Sequence, residues 1–157
     1  MIALRFFLVI GIMTHHVQSG FAQGSKTVLW QYEVVLATKD EAVLKFTAQV
    51  EEGWHLYSQH MSENGPMPTR FSFVTSKDYV LLGQPVESGK AVKFYDDVYA
   101  AEITWYSGKI SFNQKIKLLK SVTTVKGNIE YMTCNEYSCV PSRQDFSLQV
   151  PSKKNSI

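Results

Sequence analysis

Leu44, Phe46, Ala48 and Val50 alternate with Lys45, Thr47 and Gln49 in the stretch "AVLKFTAQV", and Ile110, Phe112, Ile116 and Leu118 alternate with Ser111, Asn113, Lys115 and Lys117 in "KISFNQKIKLL". Successive side chains of an extended strand point to opposite faces, so a period of two with one apolar face describes a strand buried on one side. The same reading applies to the shorter stretches "LWQYEVVLA" (29–37), "WHLYSQ" (54–59), "RFSFVT" (70–75), "YVLLG" (79–83), "AAEITWY" (100–106), "GNIEYMT" (127–133) and "FSLQV" (146–150). Turn signals separate them at Lys39-Asp40-Glu41, Glu52-Gly53, Asn64-Gly65-Pro66, Ser88-Gly89, Ser107-Gly108 and Lys126-Gly127. No stretch of ten or more residues has a helical period. Eight or nine short strands in one chain of this size predict an all-β fold, an immunoglobulin-like antiparallel β-sandwich forming a single domain.

The amino terminus is different in character. Arg5 supplies a positive charge, "FFLVIGIM" is a short apolar run, and "SGFAQG" has small residues at Gly20 and Ala22. That order predicts a cleavable export signal over residues 1–22, a domain over 23–150 and a short frayed tail over 151–157. The apolar run is well short of the roughly 20 residues a membrane span needs. Export is therefore expected, with no span in the mature chain. The 157 residues carry a formal charge of +2 and are 45% apolar and 19% charged. That balance is globular, and it points to neither nucleic acid nor an anionic membrane as a partner. Lys115 and Lys117 fall on the polar face of their strand and read as a solvated surface.

Cys134 and Cys139, in "YMTCNEYSCVPS", are the only two cysteines. The residues alone leave three readings open. Export places the pair where disulfides persist, so it can be a structural staple. A ring of six residues contributes only about 2 kcal/mol in the chain-entropy model, however. His55 and His60 repeat the cysteine spacing, and Met61, Met67 and Met132 are soft donors, so a copper or zinc site is a second reading. The third is reversible redox chemistry, for which Arg143 would favour a Cys139 thiolate, Glu136 would oppose it and Pro141 would fix the backbone nearby.

Four stretches in order, "EEGWHLYSQ", "GPMPTRFSF", "KFYDDVYAAEITW" and "GNIEYMTCNEYSCVPS", resemble the amino-terminal immunoglobulin-like domain of the thiol:disulfide interchange protein DsbD, also described as a disulfide-bond corrector. The resemblance runs from about Trp30 to Val150. It implies a reversible Cys134–Cys139 disulfide that needs no cofactor and relays reducing equivalents to periplasmic thioredoxin-fold proteins. It implies further that Cys139 enters mixed disulfides and Cys134 resolves them. A cap loop would lie at "YDDVY", with Asp96 and Asp97 handling protons beside Val98 and Tyr99, and His55 and Tyr57 would flank the site with Pro141. Three local departures stand out: Val98 occupies the position of the cap aromatic, the cysteines are one residue closer than in the enterobacterial form, and Ser142 replaces a second proline. The family's full-length proteins continue into a membrane domain and a thioredoxin-like domain. The sequence here implies a separate membrane-embedded or thioredoxin-like electron donor.

Overall fold

A computed structural model describes residues 27–151. The expected export signal and the tail beyond Pro151 lie outside these residues. Ten strands form two antiparallel sheets: β1 (Val28–Leu36), β2 (Glu41–Val50), β3 (His55–Tyr57), β4 (Arg70–Phe73), β5 (Tyr79–Ser88), β6 (Ala91–Asp96), β7 (Ala101–Tyr106), β8 (Lys109–Leu118), β9 (Val122–Cys134) and β10 (Cys139–Pro151). One sheet has the order β1-β2-β8-β5, and the other β10-β9-β3-β7-β6 with β4 also paired to β9. The described residues contain no helix. The immunoglobulin-like sandwich expected from the alternation is the fold observed.

The two longest alternating stretches become the centre of the first sheet. β2 and β8 lie side by side with Phe46 opposite Phe112 and Ala48 opposite Ile110, and all four are fully or almost fully buried. The second sheet covers them with Leu56, Tyr106, Val125, Ile129, Tyr131, Phe146 and Val150, completing one core. Aromatic rings fill its middle. Trp30 packs within 6.3 Å of Phe71, 5.9 Å of Phe112 and 5.5 Å of Tyr131. Lys115 and Lys117 are exposed, as their positions in the alternation require.

Three details differ from the sequence expectation. There are ten strands rather than eight or nine, because β6 was not expected as a strand. Its residues are almost all exposed, so no burial period marks it. Lys126-Gly127 is not a turn but lies inside the 13-residue β9, where Gly127 sits opposite both Phe73 and Phe146. Glycine is required there by crowding: an added Cβ would overlap the Ser72 carbonyl oxygen and come within 2.6 Å of the Phe146 ring. Finally, β10 begins at Cys139, well before "FSLQV", so the cysteines terminate the two strands of one long hairpin.

The candidate redox site

β9 and β10 pair along their whole length, and the last pair is Cys134 with Cys139. Their Cα atoms are 4.1 Å apart and their sulfurs are bonded. Local turn chemistry closes this end of the hairpin independently of the bond. Asn135 Oδ1 accepts hydrogen bonds from the Tyr137 and Ser138 amides, both at 2.8 Å, and the Asn135 amide donates to the Ser138 carbonyl at 2.9 Å. A side chain that mimics a backbone turn in this way fixes the loop geometry. The two sulfurs differ in access. Cys134 is 2% exposed, whereas Cys139 is open to solvent.

Strand alternation sorts the surroundings. In β9 the odd-numbered residues Val125, Ile129 and Tyr131 face the main core, so Met132 and Cys134 point to the outer face of the sheet. His55 is the register partner of Cys134, and Leu56 belongs to the core, so His55 and Tyr57 share that outer face. Tyr57 is the partner of Trp105, and Ile103 is the partner of Phe94. A second, smaller cluster forms here from Tyr57, Ala101, Ile103 and Cys134, with Met61, Trp105 and Met132 packed against it. The segment between β3 and β4 contributes to its cover: a Cβ on Gly65 would lie 3.3 Å from Met61 and 3.5 Å from Ile103.

His55 is wedged among rings. Its centroid is 3.6 Å from that of Trp105 and 5.2 Å from that of Tyr57, and its Nε2 is 3.3 Å from the Tyr57 hydroxyl. Burial pushes the His55 pKa down to about 4, leaving the imidazole neutral near pH 7. The Tyr57 phenol is raised, first by burial and then by the neighbouring Tyr99 and Asp96. Tyr57 thus connects the strand beside Cys134 with the β6–β7 turn.

That turn is the "YDDVY" segment. Tyr95 and Asp96 still belong to β6, and Asp97 to Ala100 make the reversal. Asp96 Oδ1 accepts the Val98 amide at 2.8 Å and the Tyr99 amide at 3.1 Å. One oxygen of the carboxylate that resemblance assigns to proton handling is therefore committed to holding the turn. Ala100 has a φ of 48°, a left-handed conformation that costs a residue with a Cβ roughly 1–2 kcal/mol. Asp97 is exposed, and Val98 is 91% exposed.

The other expected contributors lie farther along. Pro141 is opposite Met132, two residues beyond Cys139 on the same face. Arg143 is not directed at a sulfur: its guanidinium is 3.6 Å from Glu130 and 3.1 Å from Asp145. Met61 and Met132 are packing residues of the small cluster. His60 is exposed beyond the end of β3, and no three His, Cys, Asp or Glu side chains among the described residues converge on one point.

Two residues at the site were not singled out from the sequence. Trp105 could have been found, because it falls on the supposedly solvent-facing side of a strand whose other face carries Tyr106. Glu87 gives no such signal. It reaches from β5 in the opposite sheet to accept hydrogen bonds from Ser58 Oγ at 2.5 Å, the Gln59 amide at 3.0 Å and the Tyr106 hydroxyl at 3.0 Å. Burial and this bond to Glu87 push the Tyr106 pKa up to about 12. The clamp fixes the end of β3 just beyond Tyr57.

Residues 25–151 match the family described as thiol:disulfide interchange protein DsbD, N-terminal. The N-terminal periplasmic domain of ScsB from Proteus mirabilis shares the fold at a TM-score of 0.51 and 16% identity, over 78% of this chain and 47% of that one. The present chain thus spans about half the length of that structure. The Neisseria meningitidis DsbD N-terminal domain in the reduced form aligns at a TM-score of 0.49 and 18% identity, covering 78% of this chain and 86% of that one. The complex between the DsbD N-terminal and PilB N-terminal domains from the same organism contains a chain aligning at 0.46 and 17%, with 79% and 88% covered. No curated protein matches the sequence significantly. With the match extending over all but its ends, the chain belongs to the DsbD N-terminal domain family.

Proposed function

We propose that the chain is a periplasmic thiol–disulfide exchange module whose Cys134–Cys139 bond opens and closes in use. The observation that carries this reading is the asymmetry of a bridge the fold does not need. Cys139 is exposed while Cys134 is 2% exposed, and the hairpin beneath them is held by its own ladder and by the Asn135 turn. A bond that only stapled the domain would more usefully join distant strands. Family membership supports the same chemistry.

In the reducing direction, the Cys139 thiolate attacks one sulfur of a partner disulfide and displaces the other as a thiolate, which takes up a proton. The Cys134 thiolate then attacks Cys139 Sγ, releasing the partner's remaining sulfur as a second thiol. Two electrons pass to the partner, whose disulfide becomes a dithiol, and the protein is left with its own disulfide. The reverse sequence of bonds recharges it from a donor dithiol. Thioredoxin-fold proteins are the partner class this reading expects, and export by residues 1–22 belongs to it. The relatives agree with a partner role and with that compartment: one is called a periplasmic domain, and another has been solved with a PilB domain.

In this reading the Asp96–Tyr99 turn covers the Cys134 side of the pair, and Asp96 and Asp97 are the nearest carboxylates of that turn for proton exchange. Cys134→Ala tests the assignment of roles. Reduced variant protein added to a periplasmic extract should trap a thioredoxin-fold protein through Cys139 in a complex that dithiothreitol releases. The Cys139→Ala variant should trap none. Capture by Cys139→Ala alone, or by neither, would contradict the assignment.

A further inference from the structure

A cleft of about 450 Å³ opens beside the disulfide, on the side away from Cys139. Trp54 and His55 line it from the start of β3, Trp105 and Ser107 from the end of β7, and Asn135 and Glu136 from the loop that follows Cys134. Its chemistry is consistent along every wall. The Trp105 indole and the His55 imidazole offer electron-rich rings, and Glu136 is an exposed carboxylate at the rim. None of the described residues lining the cleft is Lys or Arg. His55 is uncharged near neutral pH, because burial lowers its pKa to about 4, so it does not repel a cation. Rings together with a carboxylate are the combination that attracts ammonium and guanidinium groups. The volume lies within the range of ordinary ligand sites and suits one long side chain.

We infer that this cleft receives a lysine or arginine side chain of the protein whose cysteine engages Cys139, and so selects partners by a positive charge close to their reactive cysteine. The inference rests on the exchange function proposed above. Position supports it. Cys139, Cys134 and His55 are neighbours across three adjacent strands, and strand spacing puts the cleft's edge roughly 10 Å from Cys139. A basic residue two positions from the partner's cysteine spans that distance with its own side chain.

The test uses the reduced full chain and two synthetic probes, the disulfide-linked dimers of the peptides Lys-Gly-Cys and Glu-Gly-Cys, with uncharged hydroxyethyl disulfide as reference. Each exchange converts the protein dithiol to its disulfide and one probe disulfide to two thiols, so two electrons move. The lysine probe should react about tenfold faster than the glutamate probe. Glu136→Gln and Trp105→Leu should each bring that ratio close to one, with each variant's own hydroxyethyl disulfide rate as the reference for any change in the reactivity of Cys139. Glu63→Gln removes the same charge from outside the cleft and should preserve the ratio. A ratio near one in the parent protein, or an equal loss in Glu63→Gln, would overturn the cleft assignment and leave the exchange function standing. Failure of the reduced protein to exchange with any of the three probes would overturn the exchange function itself.

Discussion

Asn135 determines how close the two thiols stay once the bond is broken. Its side-chain oxygen holds the Tyr137 and Ser138 amides, so Asn135→Ala frees the loop and lowers the effective concentration of one sulfur at the other. The disulfide should then be easier to reduce, with a potential higher by about 20–40 mV for a loss of about 1–2 kcal/mol, as read in a redox titration. His55 makes a separate prediction. Its folded pKa of about 4 lies below the unfolded value of 6.5, so protonation favours the unfolded chain. Stability is unaffected above pH 6.5 and falls as the pH drops towards 4. Partial exposure reduces the full linkage to about 1–2 kcal/mol. Urea denaturation at pH 7 and pH 4.5 should show a loss in the parent that is smaller in His55→Phe. A bond between the two cysteines was one of the readings their spacing left open, and the family resemblance favoured it; the placement of His55 and Tyr57 on one face was legible from strand alternation. The role of Arg143 was not, because Glu130 becomes its neighbour only when β9 and β10 pair, joining Asp145 two residues along the same strand.

Strands with a buried face were readable, and β6, which has none, was not. β2 and β8 alternate visibly because one face meets the core and the other meets water. β7 carries apolar side chains on both faces, since Tyr106 enters the main core while Ile103 enters the small cluster under the site. β6 is an edge strand with exposed residues throughout, and its pairing with β7 is what carries the Asp96–Tyr99 turn to Tyr57. Asp96→Ala removes the two hydrogen bonds that shape the turn. The reduced variant should be alkylated several-fold faster by iodoacetamide at Cys134, the buried sulfur, with little change in global stability. Gly127 belongs to the same scale. A turn reading was natural for Lys126-Gly127, yet the glycine marks where β4 and the Phe146 ring press on β9. Gly127→Ala should destabilise the domain by about 1–3 kcal/mol, because the obstruction includes backbone that cannot rotate away.

The sandwich presents two cores of different purpose. The large one lies between the sheets and accounts for the fold, whose class followed from the alternation alone. The small one lies on the outer face of the second sheet, between the disulfide and the β6–β7 hairpin. Its existence could not be read from burial periods, since it is assembled from alternate residues of three strands and a loop that meet only in the folded molecule. The disulfide lies on this outer layer, apart from the core that accounts for the fold. The central claim, that the Cys134–Cys139 bond is made to open, is tested most directly by equilibrating the pure protein in graded dithiothreitol or glutathione buffers and quantifying free thiol while following the fold by circular dichroism. The account predicts a two-electron transition at a potential above about −300 mV with the β-sheet spectrum retained in the reduced form. A potential well below that value, or unfolding on reduction, would contradict it.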